Sequence, residues 1–187
     1  NDVAHRVSGP FPIRPEDLPP LNVLFSDAFS ERYRRDGMAG VRVPPLNPMI
    51  WRFAIEGAGA GAMLWRDGLG RIAACNLAHV SGREGWMGPL AVREELQGRG
   101  LGRTIVRAGI ERLRAAGCGV IGLETMPRTM DNIGFYAGLG FVPGRLTITL
   151  TMESAPATDL RVPLLSELGA AERAGAIGEC VALTKDV

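Results

Sequence analysis

Apolar side chains recur at Ile105, Val106, Gly109, Ile110, Leu113 and Ala116, with Arg103, Arg107, Glu111 and Arg114 between them. That spacing turns one face to a core and the other to water, which predicts an amphipathic helix stopped by Gly117. An earlier stretch repeats the period at Leu21, Leu24, Phe25, Ala28 and Phe29; Glu16 and Asp17 stand near its start, and Gly37 and Gly40 close it. "VPPLNP" (43–48) reads as a loop. Two apolar runs in "MLWRDGLGRIAACNLAHV" are parted by Asp67-Gly68, which predicts a hairpin. The turn "SGREG" then leads to a third strand, "WMGPLAV" (86–92). "VIGLET" (120–125) has the length of a buried strand, "NIGFYAGL" of a short helix, and "RLTITLTM" alternates as a strand does. "ESAPATDLRVP" resembles a linker, and a further helix is predicted at 164–183.

The order is three strands, a glycine-rich loop, a long helix, a strand, a helix and a strand. A strand–helix–strand unit with a long helix pairs its strands in parallel, whereas the hairpins before it are antiparallel. The pattern therefore predicts a mixed-sheet α/β domain. At 187 residues and 46% hydrophobic composition, the chain is long enough for one domain with a substantial core. A net charge of +1 gives no sign of a nucleic-acid binder. No apolar run reaches the roughly 18 residues of a membrane span, and "NDVAHRVSG" lacks the apolar stretch of a signal peptide. Three dispersed cysteines, Cys75, Cys118 and Cys180, read as thiols in a reducing cytoplasm. The two histidines lie far apart, so no sequence-local metal site is visible.

Residues 97–103, "QGRGLGR", follow a strand and open the long helix. The first N–H groups of a helix lack internal partners and its dipole favours an anion, so this is a natural phosphate site. The dinucleotide fingerprint fails at Arg103, where it needs glycine. The nucleoside-triphosphate loop fails at Gln97 and Arg103, where it needs glycine and lysine. A third pattern, Q/R-x-x-G-x-G/A, matches at every specified position.

The stretch "LAVREELQGRGLGRTIV" (90–106) resembles the acetyl-CoA motif of the GNAT acetyltransferase superfamily. About thirty residues on, "NIGFYAGLGFVP" (132–143) resembles that family's second motif, with Phe135, Tyr136, Leu139, Gly140 and Phe141. Gly88-Pro89 sits where the family's strand carries a bulge and splays from its neighbour. There are departures. Glu94 stands where many members have proline, and Thr129 where many have a cofactor-contacting asparagine; Asn132 lies three residues later. The resemblance implies a mostly antiparallel mixed sheet with helices on both faces and splayed strands forming an acetyl-CoA cleft. It implies a domain over 11–153, after which composition and apolar spacing predict a linker over 154–163 and a helical segment over 164–187. The last segment's apolar stripe needs a surface: the domain itself, a partner subunit as in a homodimer, or a second domain that it begins, as in relatives with tandem domains.

The implied reaction moves an acetyl group from the thioester of acetyl-CoA to a primary amine, on a small molecule or a peptide, by direct attack in a ternary complex. Neither nucleic acid nor membrane is an expected partner, and a cytoplasmic location is expected. Gly98, Arg99, Gly100, Leu101, Gly102 and Arg103, after Gln97, would hold the pyrophosphate. Leu90, Ala91 and Val92 would pair with pantetheine and polarise the thioester carbonyl. Asn132 is a further cofactor candidate. Tyr136 stands at the family's general acid; the alternative is a core tyrosine beside Phe135. Glu124, in "GLETMP", is the candidate base; Glu84, His79 and a relayed water are rivals. Arg32, Arg34 and Arg35 either meet an anionic acceptor or form a solvated helix face. Cys75 and Cys118 read as small apolar fillers. The alternative to an enzyme is a CoA-binding regulatory or scaffold module.

Overall fold

Proline at 48 and asparagine at 47 start a helix that the apolar pattern did not announce: the Asn47 side chain accepts from the Met49 N–H at 2.9 Å, and Pro48 occupies the first turn. It belongs to a computed structural model that describes residues 6–126, 129–144 and 163–185. In chain order the elements are β1 (Val7–Pro12), α1 (Leu18–Arg35), α2 (Pro48–Ala58), β2 (Ala62–Asp67), β3 (Ile72–Ser81), β4 (Glu84–Val92), α3 (Leu101–Ala115), β5 (Val120–Leu123), α4 (Met130–Ala137) and α5 (Ala170–Lys185). The strand β1 and the helix α2 are additions to the predicted set. The predicted strand "RLTITLTM" and the linker up to residue 162 lie outside the described residues. The chain divides into two units, 1–146 and 147–187.

In the first unit the five strands run in the order β1-β2-β3-β4-β5. All neighbours are antiparallel except β4 and β5, which are parallel and joined through α3. This is the mixed, mostly antiparallel sheet that was expected. One face carries α1 and α2, with Leu21, Leu24, Phe25 and Trp51 against Leu64, Cys75, Leu77 and Ala91. The other carries α3 and α4, with Ile105, Val106, Leu113, Phe135 and Tyr136 against Met63, Trp65, Ala78, Met87 and Val92. Helix α3 lies close to the strands: a Cβ at Gly109 would stand 2.5 Å from Met87 Sδ and 2.6 Å from Asn76 Nδ2. Buried Asn76 ties the layers together, donating to the Ile105 carbonyl of α3 at 3.0 Å. Asp67 anchors the β2–β3 turn. Its carboxylate accepts from the N–H groups of Leu69 and Arg71 at 3.0 and 2.9 Å and from Arg71 Nε at 2.8 Å. Burial alone would raise its pKa, but these donors outweigh burial and hold it below the ordinary aspartate value.

In the second unit α5 begins at Ala170, six residues later than the apolar stripe predicts. Its start is set by Glu172, which accepts from the Gly169 N–H at 3.1 Å. The preceding residues form a turn held by Arg173, which donates to the carbonyls of Leu165 and Leu168, each at 3.0 Å. Among the described residues no helix is long and apolar enough to cross a membrane.

Candidate active site

The three glycines before and in α3 have two different reasons. Gly98 and Gly100 have φ of +72° and +85°, the left-handed region that disfavours side chains. A Cβ at either would meet nothing within 4 Å, so the loop's surface is open. Gly102 is a close approach instead: its Cβ would stand 3.4 Å from the Phe135 ring of α4. The first helical hydrogen bond runs from the Thr104 N–H to the Gly100 carbonyl at 3.2 Å. Upstream of it, the N–H groups of residues 98–103 have no acceptor among the described residues. They form an open row of donors at the positive end of α3, with Arg99 and Arg103 adjacent. Gln97 plays a supporting part. Its N–H donates to the Glu94 carbonyl at 3.0 Å, its side-chain amide donates to the Val92 carbonyl at 2.9 Å, and its Oε1 accepts from Arg35 at 3.2 Å.

Strand β4 leads into this loop. It pairs with β5 only from Glu84/Val120 to Met87/Leu123, whereas its pairing with β3 continues to Val92. Between Asn76/Leu90 and Ala78/Met87, two steps on β3 oppose three on β4, so Gly88-Pro89 carries the expected bulge. Past it, Leu90, Ala91 and Val92 have β3 on one side and, among the described residues, no strand on the other. The Arg93 N–H donates to the Ala73 carbonyl on β3. Strand alternation therefore turns the N–H groups of Leu90 and Val92 toward the open edge.

Helix α4 brings Tyr136 to the α3 side of the sheet, edge-on to Phe135 and Phe141 with centroids 5.0 and 6.0 Å apart. Burial pushes the Tyr136 phenol above the ordinary tyrosine value, so it keeps its proton at neutral pH. Its hydroxyl has no hydrogen-bond partner among the described residues. Asn132 donates to Thr125 Oγ1 at 3.2 Å. Thr129, at the family's asparagine position, is 1% exposed and donates its hydroxyl to Asp36 Oδ2 at 2.7 Å. That side chain is committed to the end of α1.

Of the proton-acceptor candidates, Glu124 is exposed and directly follows the last β4–β5 pair, where the strands part. His79 lies across β4 from it, its Nε2 3.2 Å from the Gly88 carbonyl in the bulge. Glu84 is at the far end of β4 from the glycine loop, accepting from Trp86 Nε1 at 3.2 Å. The α1 arginines are held by carboxylates. Arg34 and Arg35 pair with Glu31 at 2.6 and 2.7 Å and hold its pKa at about 2. Arg35 also reaches Glu94 at 3.1 Å, and Arg32 pairs with Asp36 and, at 3.6 Å, with Asp131. The ties to Glu31 and Asp36 span three or four residues of one helix, whereas those to Glu94 and Asp131 join positions remote along the chain and were not visible in the sequence.

The architecture recurs in solved structures. A mutant of the BH1408 protein from Bacillus halodurans superposes with a TM-score of 0.61 at 20% identity, over 79% of this chain and 99% of that one. The ribosomal-protein-S18-alanine N-acetyltransferase from Escherichia coli gives 0.56 at 20% identity, over 75% and 79%. The NatC complex bound to Gag peptide and CoA gives 0.60 at 19% identity, over 75% and 87%. At these identities the likeness is one of fold. No curated protein matches the chain. The sequence profile of the acetyltransferase (GNAT) family matches residues 23–141, which take in the glycine loop, the parted strands and Tyr136. The chain belongs to the acetyltransferase (GNAT) family.

Proposed function

We propose that the chain transfers an acetyl group from acetyl-CoA to a primary amine on a small molecule or a peptide. One observation carries the reading: the open edge of β4 runs from the parting at Gly88 straight to the unpaired donors at the start of α3. The donors suit a pyrophosphate, and the strand edge suits the amides of pantetheine. When bound, acetyl-CoA supplies an acyl group activated as a thioester. The N–H groups of residues 98–103 bind the pyrophosphate, with Arg99 and Arg103 adding charge. The N–H groups of Leu90 and Val92 align the pantetheine and polarise the carbonyl, with Asn132 a further contact from α4. Tyr136 holds a proton for the departing thiolate. Glu124, at the parting, takes the proton of the amine, with His79 the rival across the bulge.

Transfer is direct, in a ternary complex. Cys75 is fully buried on the α1/α2 face, and burial pushes its thiol up to about 12, which keeps it from acting as a nucleophile. A cytoplasmic location fits the Cys75 and Cys118 thiols, which form no disulfide. The test is thiol release from acetyl-CoA across a broad amine panel, together with thermal stabilisation by acetyl-CoA, NAD and ATP. We expect amine-dependent release and stabilisation by acetyl-CoA alone. Stabilisation without release for any amine selects the regulatory or scaffold module instead, and stabilisation by NAD or ATP alone overturns the acetyl-CoA reading.

A further inference from the structure

Helix α4, which carries Tyr136, has little of its own to fix its direction. It has eight residues, too few to form a stable helix alone, and none of them is fully buried. The residue just before it is: Thr129 is 1% exposed. A threonine at this position ordinarily turns its hydroxyl oxygen to the first N–H groups of its own helix. Thr129 makes no such bond. Its hydroxyl donates instead to Asp36 Oδ2 at 2.7 Å, across 93 positions of the chain. Asp36 directly follows α1, and its side chain is only 6% exposed. Its N–H donates to the Arg32 carbonyl at 3.1 Å, and its carboxylate pairs with the Arg32 guanidinium. The same guanidinium reaches Asp131, in the first turn of α4, at 3.6 Å. The end of α1 thus grips the start of α4 at two points.

The grip bears on the phenol through the geometry of the helix. Tyr136 lies seven residues after Thr129, two turns and about 10 Å along the axis at 1.5 Å per residue. That spacing puts both on one side of the helix. A shift at the buried start is therefore carried to the phenol at the other end. At a reacting group, a misplacement of about 1 Å lowers a rate by about 10²-fold.

We infer that Thr129 and Asp36 are positioning residues for acetyl transfer: their buried hydroxyl–carboxylate bond, backed by Arg32, sets the tilt of α4 and with it the place of the Tyr136 hydroxyl. The inference rests on the reading of Tyr136 as the proton donor. The test is a double-mutant cycle on kcat with Thr129→Val, Tyr136→Phe and the two combined, together with the KM for acetyl-CoA and thermal unfolding. Thr129→Val keeps the shape and removes the hydroxyl. It should lower kcat by about 10- to 100-fold and leave the KM for acetyl-CoA within about twofold. Thr129→Ser, which restores the donor, should return kcat to within about threefold of wild type. In the Tyr136→Phe background, Thr129→Val should change kcat by less than about twofold, because the group it positions is gone. A purely structural threonine would lower kcat by the same factor in both backgrounds. Thr129→Ala, which puts no extra methyl beside the Asp36 carboxylate, carries the same cycle should Thr129→Val not fold. An unchanged kcat in the hydroxyl-free variant, or equal losses with and without the phenol, would overturn the positioning role while Tyr136 keeps its own. An unchanged kcat in Tyr136→Phe itself would overturn the proton donor and this inference with it.

Discussion

Replacing Gly100 with valine tests the glycine loop at its most exposed point. Gly100 caps α3 with φ of +85°, and the space its Cβ would enter is empty of protein. Two effects follow, and they are separable. An L-residue in this region costs about 1–2 kcal/mol, and a β-branched one somewhat more. Against a domain stability of about 5–15 kcal/mol, the fold survives. The valine methyl groups also enter the space in front of the free N–H groups of residues 98–103. Displacing an anion from two charge-assisted hydrogen bonds forfeits about 3–6 kcal/mol, or roughly 10²- to 10⁴-fold in affinity. Calorimetry with acetyl-CoA reads the second effect, and thermal unfolding reads the first. Gly100→Asn separates them further, because asparagine tolerates the left-handed region yet still carries a Cβ. It should recover most of the stability and little of the affinity. A folded Gly100→Val protein with wild-type affinity would refute the phosphate loop; full rescue by asparagine would refute steric exclusion.

Tyr136→Phe should lower kcat by about 10- to 100-fold and leave acetyl-CoA affinity within a few-fold; unchanged kcat when chemistry limits turnover removes the phenol from the mechanism. Because burial raises the Tyr136 pKa, any alkaline limb of kcat due to this group should lie above the ordinary tyrosine value, and a tyrosine-dependent limb below it would contradict the assignment. Gly109→Ala forces a Cβ to 2.5 Å from Met87 Sδ and should cost about 1–3 kcal/mol, whereas Gly102→Ala, at 3.4 Å from Phe135, should change stability little; equal losses in denaturant titrations would show that α3 does not sit this close to the sheet. Asp67 has a lowered pKa, so its contribution is present above the unfolded aspartate value and lost as pH falls through the folded one. Asp67→Asn should cost about 1–3 kcal/mol at neutral pH and flatten the acid limb of stability, and an unaltered acid limb would assign that limb to other groups.

Helix α3 was legible because it has one job on each side: Ile105, Val106 and Leu113 face the sheet, and its arginines face outward. Helix α2 was not, although Trp51, Ala54, Ile55 and Ala58 sit inward at helical spacing. Met49, Ile50 and Phe53 stand outward, 52–78% exposed, so apolar residues surround the helix and the periodic contrast vanishes. Strand β1 hid behind Gly9, Pro10 and Pro12, which argue against a strand. As an edge strand it needs partners only on the β2 side, and its register shifts between Ser8 and Phe11, where the glycine and proline fall.

The cofactor loop could be read locally because its chemistry is carried by backbone: a few glycines and one helix start specify it within seven residues. What orients the groups around it lies across the chain. Arg35 reaches Gln97 over 62 positions, and Asp36 accepts from Thr129 over 93. Both ties come from the last turn of α1 and the residue after it, one to the loop that presents the donors and one to the cap of the helix that presents Tyr136. The Thr129 hydroxyl lies in neither glycine nor tyrosine motif, yet with Asp36 it fixes where α4 starts. The tyrosine's position therefore depends on a contact between two segments that local spacing never relates, and a family motif can name Tyr136 without containing what holds it there.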